Sequence, residues 1–173
     1  MRKTTILQTV IFFLIITNIA KASLSTIDHY IQDARLVGSG RFKASIDIYL
    51  YAQNGILNPV KPYALSIKFL NNTSKDRLVK TNIKRIKEQE KVDQKLLDKW
   101  QVNLEHIFRD IKKKQVLTMI YFPKKKLFFY LDQDKIGYIN DIHLSSVLFD
   151  IWLGERTPQP KLRNKLLGKE NKK

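Results

Sequence analysis

Residues 116–139 read VLTMIYFPKKKLFFYLDQDKIGYI, and this stretch decides the fold. Val116 to Phe122 and Leu127 to Leu131 are apolar runs of strand length, rich in β-branched and aromatic side chains. Pro123-Lys124-Lys125-Lys126 separates them with room for a hairpin turn only. Asp132 to Lys135 makes another turn, into a short strand from Ile136 to Ile139. Three consecutive strands on hairpin-length connections run antiparallel. The two longer runs are apolar on both faces, so they need cover on each side and belong in the centre of the sheet.

Upstream lie two helical patterns. Ser74 is placed to cap a helix running to about Glu90, with Leu78, Val79, Ile83 and Ile86 as its apolar stripe. Asp93 caps a second, to about Ile111, with Leu97, Trp100, Leu104, Ile107 and Ile111 at helical spacing. Tyr63 to Leu70 reads as a strand with Leu65, Ile67 and Phe69 on one face. The loop before it holds Asn54-Gly55, Pro59 and Pro62. Residues 41–52, RFKASIDIYLYA, alternate strictly and predict one half-buried strand, preceded by a tight turn at Gly38 and Gly40. Downstream, Asp141 starts a helix through Trp152 that Gly154 ends. Thr157-Pro158 starts a last helix that ends at Gly168. Strands and helices segregate along the chain, which argues for an α+β domain: a mostly antiparallel sheet with helices packed on it.

The N-terminus reads as a cleavable secretory signal. Arg2 and Lys3 form a positive start, residues 6–20 are largely apolar, and Ala20-Lys21-Ala22 offers small residues for cleavage after Ala22. The expectation is a periplasmic or secreted protein. Residues 23–168 then form one domain, and 169–173 a polar basic tail. Loss of Arg2, Lys3 and Lys21 with the signal lowers the net charge from +16 to +13. Such a surface attracts anions, including lipid headgroups. No cysteine is present, so disulfides and thiolate ligands are excluded.

Several chemistries find no support. No phosphate-cradling or dinucleotide glycine motif is present, and His29, His106 and His143 stand isolated rather than at metal-ligand spacing. No cofactor, no metal and no nucleic-acid partner are expected. Lys161, Arg163 and Lys165 beside Leu162, Leu166 and Leu167 give the last helix a basic face suited to an anionic membrane surface. The remaining candidate is the polar row of residues 41–51. Arg41, Lys43, Ser45, Tyr49 and Tyr51 are expected to point the same way, into a sheltered hollow. A guanidinium with phenol hydroxyls beside it holds a carboxylate or phenolate through charge-assisted hydrogen bonds. Asp47 shares the row and is placed to pair with Lys43.

Ile151-Trp152-Leu153-Gly154, followed by Leu162-Arg163 and Leu166-Leu167-Gly168, resembles the C-terminal signature of the bacterial chalcone isomerase-like family. Ile136-Gly137-Tyr138-Ile139-Asn140-Asp141, the strand from Val116 to Pro123, and Val37-Gly38-Ser39-Gly40-Arg41 resemble other family segments in the same order. The resemblance implies a large antiparallel sheet carrying a layer of helices, with a cleft between, and no cofactor. It implies one of two jobs. Isomerases of the family use an arginine after a Gly-x-Gly turn, here Arg41, with a threonine and a tyrosine that polarise a ketone. Non-catalytic relatives bind fatty acids. Ala44 stands where the isomerase threonine belongs, which counts against catalysis. The sequence thus points first to a non-catalytic binder of a small acidic amphiphile, with Arg41 or Lys43 on its head and Tyr49 or Tyr51 assisting. A chalcone-isomerase-type intramolecular lyase and an envelope-associated protein with a basic lipid-facing surface are the alternatives.

Overall fold

Each strand pairs with its neighbour in the chain. A computed structural model describes residues 24–169; the expected signal over 1–22 and residues 170–173 of the expected tail lie outside them. The sheet runs β1 (Ala34–Phe42), β2 (Ile46–Gln53), β3 (Tyr63–Phe69), β4 (Val116–Phe122), β5 (Lys126–Leu131) and β6 (Asp134–Ile139), in that spatial order. All five pairings are antiparallel. A helical turn, α1, spans residues 24–28. Helices α2 (Lys75–Gln89), α3 (Gln94–Ile107), α4 (Ile142–Leu153) and α5 (Pro160–Leu166) complete the α+β architecture. Among the described residues no helix is long and apolar enough to cross a membrane.

The caps follow their local chemistry. Ser74 and Asp93 accept from the N–H groups of Arg77 and Leu96 and start α2 and α3 as expected. Helix α3 stops at Ile107 rather than Ile111, because Thr73 and Ile111 exchange two backbone hydrogen bonds of 2.8 Å. Helix α5 begins at Pro160 rather than at Thr157-Pro158. The Thr157 hydroxyl instead donates to the Ile151 carbonyl at 2.9 Å, tying the connection to α4.

The single strand expected over 41–52 is corrected to a hairpin. β1 ends at Phe42, residues 43–45 turn with Lys43 at φ 51°, and β2 begins at Ile46. Phe42 and Ile46 face each other across the ladder. Paired residues point to the same face, and these two differ by an even number, so the alternation reads through the turn without a break. Gly38 and Gly40 form no turn. They lie inside β1, where a Cβ on Gly38 would sit 2.1 Å from the Lys165 carbonyl oxygen, and one on Gly40 would sit 2.4 Å from Leu162. They are glycines because α5 lies directly on the strand.

The sheet has two covered faces. The inner face carries Ile48, Leu50, Leu65, Ile67, Leu117, Met119, Leu127 and Phe129, packed against α2–α5 in the main core. Trp100, Leu104, Leu144 and Leu166 fill it from the helices, each fully buried. The outer face carries a smaller cluster of Ala64, Ile120, Phe128 and Tyr130, closed by Ile27 and Ile31 from the N-terminal segment. Tyr30 and Tyr130 hydroxyls meet at 2.6 Å across that lid. This double cover is why β4 and β5 are apolar at successive positions, as expected of central strands.

Asp141 ties α4 to α3. Its carboxylate accepts from the Leu144 N–H at 3.0 Å and from the buried Trp100 indole at 3.1 Å. Partial burial alone would raise its pKa, but these hydrogen bonds and nearby Lys99 outweigh burial and hold it below the ordinary value. Asp141→Ala removes a helix cap and orphans an indole N–H, so it should cost about 2 kcal/mol at neutral pH by urea denaturation. A depressed folded-state pKa means this stabilisation is complete above the unfolded carboxylate pKa. It is lost as pH falls through the lower folded value, where wild type and variant should converge.

Candidate functional site

A cavity of about 440 Å³ lies between the inner face of the sheet and α2. That volume suits a small organic ligand. Its walls follow from strand parity: Ile46 on β2, Ile67 and Phe69 on β3, and Leu117 and Met119 on β4 all point inward. Leu78 from α2, Phe108 from the end of α3 and Trp152 from α4 close the apolar interior. At one end the lining turns polar and exposed, with Lys43, Ser45, Asn71, Asn72, Arg77 and Thr81. That end is the mouth.

One interior group is out of keeping with such walls. Arg85, on the cavity side of α2, holds its guanidinium between two rings, 4.6 Å from the centroid of Phe42 and 4.8 Å from that of Trp152. Its Nη1 is buried and makes no hydrogen bond. Burial lowers the Arg85 pKa from its ordinary value, against a smaller opposing pull from Glu88. Cation–π contact compensates part of the desolvation, but a buried donor without an acceptor still costs about 1–3 kcal/mol. Asn82, three residues before it, has its amide N–H engaged by the Leu78 carbonyl at 2.8 Å.

The structure divides the residues expected to share one hollow. Lys43 and Ser45 sit in the β1–β2 turn at the cavity mouth. Arg41, Tyr49 and Tyr51 project from the outer face, on the far side of the sheet from the cavity. The expectation of one sheltered row is corrected accordingly, because the strand residues of the row face outward while the cavity lies under the inner face, which only the turn residues reach. Asp47 pairs with Arg41 and not with Lys43: Nε and Nη2 donate to its two carboxylate oxygens at 2.6 and 3.0 Å. The Arg41 side chain is 62% exposed and committed to this fork. Its hydrogen bond to Asp47 raises its pKa further. Tyr51 packs against the outer cluster, and burial holds the hydroxyl pKa of both Tyr49 and Tyr51 above the ordinary value. Neither ring lines the cavity.

Sequence reasoning passes over Arg85. A signal is available: it lies seven residues after Leu78 and three after Asn82, on the helix face that turns inward. A second hollow of about 340 Å³ between α2 and α4 has a different character, with Glu90, Asp150 and Glu155 beside Arg156. Burial first, then Glu90, raises the Asp150 pKa, while Arg156 opposes the rise.

Comparison with known proteins agrees with this architecture. A family model described as chalcone isomerase-like matches residues 35–168. A search of curated protein sequences found no significant match. Among solved structures, a fatty-acid binding protein of Arabidopsis thaliana superposes with a TM-score of 0.59 at 12% identity, covering 79% of this chain and 88% of the other. At that identity the likeness concerns the fold.

Proposed function

The chain belongs to the chalcone isomerase-like family, and from that premise we propose that it is a non-catalytic binder of a small amphiphile with an acidic head, such as a fatty acid. The carrying observation is the Arg85 guanidinium on the wall of an apolar cavity, with its buried Nη1 unpartnered. A carboxylate in the cavity gains charge-assisted hydrogen bonds from the guanidinium. The acyl tail packs among Phe69, Phe108, Leu117 and Met119, each at most 5% exposed. Lys43 and Arg77 stand at the mouth and attract the anionic head as it enters. The Arabidopsis protein of the same fold, which binds fatty acids, supports the reading.

Ring-closing catalysis has little to work with here. Among the described residues no tyrosine lines the cavity, and Ala44 lies in the exposed β1–β2 turn without a hydroxyl to polarise a carbonyl. The protein is expected to convert 2′-hydroxychalcone no faster than buffer. The proposal includes export: residues 1–22 have the pattern of a secretory signal, and a binder carrying one works in the periplasm or secreted space.

Native mass spectrometry of freshly purified protein tests the reading. The expected spectrum contains a complex whose added mass, released by denaturation, is that of an acidic amphiphile. A bare protein that also ignores added palmitate would refute the assignment.

A further inference from the structure

Three connections meet at the cavity mouth: the β1–β2 turn, residues 70–74 between β3 and α2, and residues 108–115 between α3 and β4. Hydrogen bonds lace them into one surface. The Leu70 N–H donates to the Ser45 carbonyl at 2.9 Å, and the Lys113 N–H donates to Asn72 Oδ1 at 2.8 Å. The Lys114 N–H donates to the Phe69 carbonyl at 2.7 Å, and the Thr73–Ile111 bridge closes the seam. These short bonds make the rim a single platform.

The platform is basic. Lys112, Lys113 and Lys114 are consecutive and exposed, with Lys114 at φ 79°, beside Lys43 and Arg77. The carboxylates nearby are partly occupied by the fold: Asp47 holds Arg41, Asp110 caps the Lys75 N–H at 2.8 Å, and Asp132 accepts from Val116 and Gln115. None of the exposed residues of the three connections is aromatic, so the rim offers no stacking surface for nucleic-acid bases.

We propose that this rim docks on an anionic lipid bilayer, so that the ligand passes between membrane and cavity without crossing bulk water. The proposal rests on the reading of the cavity as an amphiphile site: an acidic amphiphile partitions into bilayers, and the rim surrounds the opening it must use. Charge complementarity selects the occupant, since each lysine near an anionic surface adds its own increment of attraction. The turn Lys124-Lys125-Lys126 supplies an internal control. It is equally basic but lies at the opposite end of β4 from Val116 and the mouth.

The test is co-sedimentation with phosphatidylcholine vesicles, with and without phosphatidylglycerol. The protein should bind only the anionic vesicles, and salt should release it. K112Q/K113Q/K114Q should weaken binding on the order of a hundredfold. K124Q/K125Q/K126Q should leave it unchanged. Transfer of a fluorescent fatty acid from the protein to anionic vesicles should accelerate with vesicle concentration, and the rim variant should lose that dependence. Two controls separate this proposal from the cavity reading. The rim variant should still carry amphiphile by native mass spectrometry, and Arg85→Met should still sediment with vesicles. Equal loss in both triple variants, absence of vesicle binding, or binding of acidic protein or oligonucleotide in place of vesicles would each overturn the docking surface.

Discussion

Arg85→Met should lower affinity for a long-chain fatty acid on the order of a hundredfold, yet leave the unliganded protein at least as stable. The two effects share one origin. In the unliganded state the guanidinium is partly desolvated, with Nη1 buried and lacking an acceptor. Methionine keeps apolar packing between Phe42 and Trp152 and removes the buried charge; such replacements are often neutral or stabilising. With ligand bound, the same change leaves a carboxylate in an apolar cavity without its cation. Truncating one partner of a buried charge pair costs about 2–5 kcal/mol. Arg85→Lys should fall between, since it keeps the charge but loses the planar fork and its stacking on two rings. Calorimetric titration with palmitate reads the first effect and urea denaturation the second. If Arg85→Met destabilises the free protein while binding stays intact, the arginine is a packing element and the ligand's head lies elsewhere.

Gly38→Ala should be the most damaging single-methyl change in β1. The added Cβ would meet two backbone oxygens, of Lys165 at 2.1 Å and Leu166 at 2.5 Å. A flexible side chain could swing aside, but a helix backbone cannot, so α5 must lift. Lifting it exposes Leu162 and Leu166, now 7% and 0% exposed. At about 2 kcal/mol for each leucine side chain returned to water, the loss is about 4 kcal/mol. The neighbouring Ser39→Ala, pointing to the other face, should be close to neutral. A urea midpoint for Gly38→Ala within error of wild type would show that α5 sits more loosely than this contact implies.

Elements whose determinants are local are legible in the amino-acid sequence. The α2 start at Ser74, the α3 start at Asp93 and the α4 limits at Asp141 and Gly154 follow from caps and stripes within a few residues. The central positions of β4 and β5 follow from their double-faced apolarity. What escapes depends on distant partners. Gly38 reads as a turn residue until α5, more than 120 residues later, is seen resting on it. The β1–β2 hairpin hides because its turn preserves parity; Arg41, Tyr49 and Tyr51 do share the polar face, but the cavity opens on the apolar one, which helices from distant parts of the chain roof over. Lys43 and Ser45 reach the cavity mouth by lying in the turn itself. Arg85 escapes because a cation on an amphipathic helix reads as solvated, and only the Phe42 and Trp152 rings, brought from β1 and α4, enclose it.

Chain order equals spatial order in this sheet, and that has a consequence for assembly. As the polypeptide emerges N-terminus first, every strand after the first finds its partner already waiting, which favours rapid zipping. The first strand is the exception: its inner face stays bare until the final helix arrives to lie across the two glycines. A nascent chain therefore carries an uncovered strand face, ready to recruit a neighbour, until that helix has been released. The last helix is the latch that ends this vulnerable interval, joining the earliest-made strand to the latest-made segment.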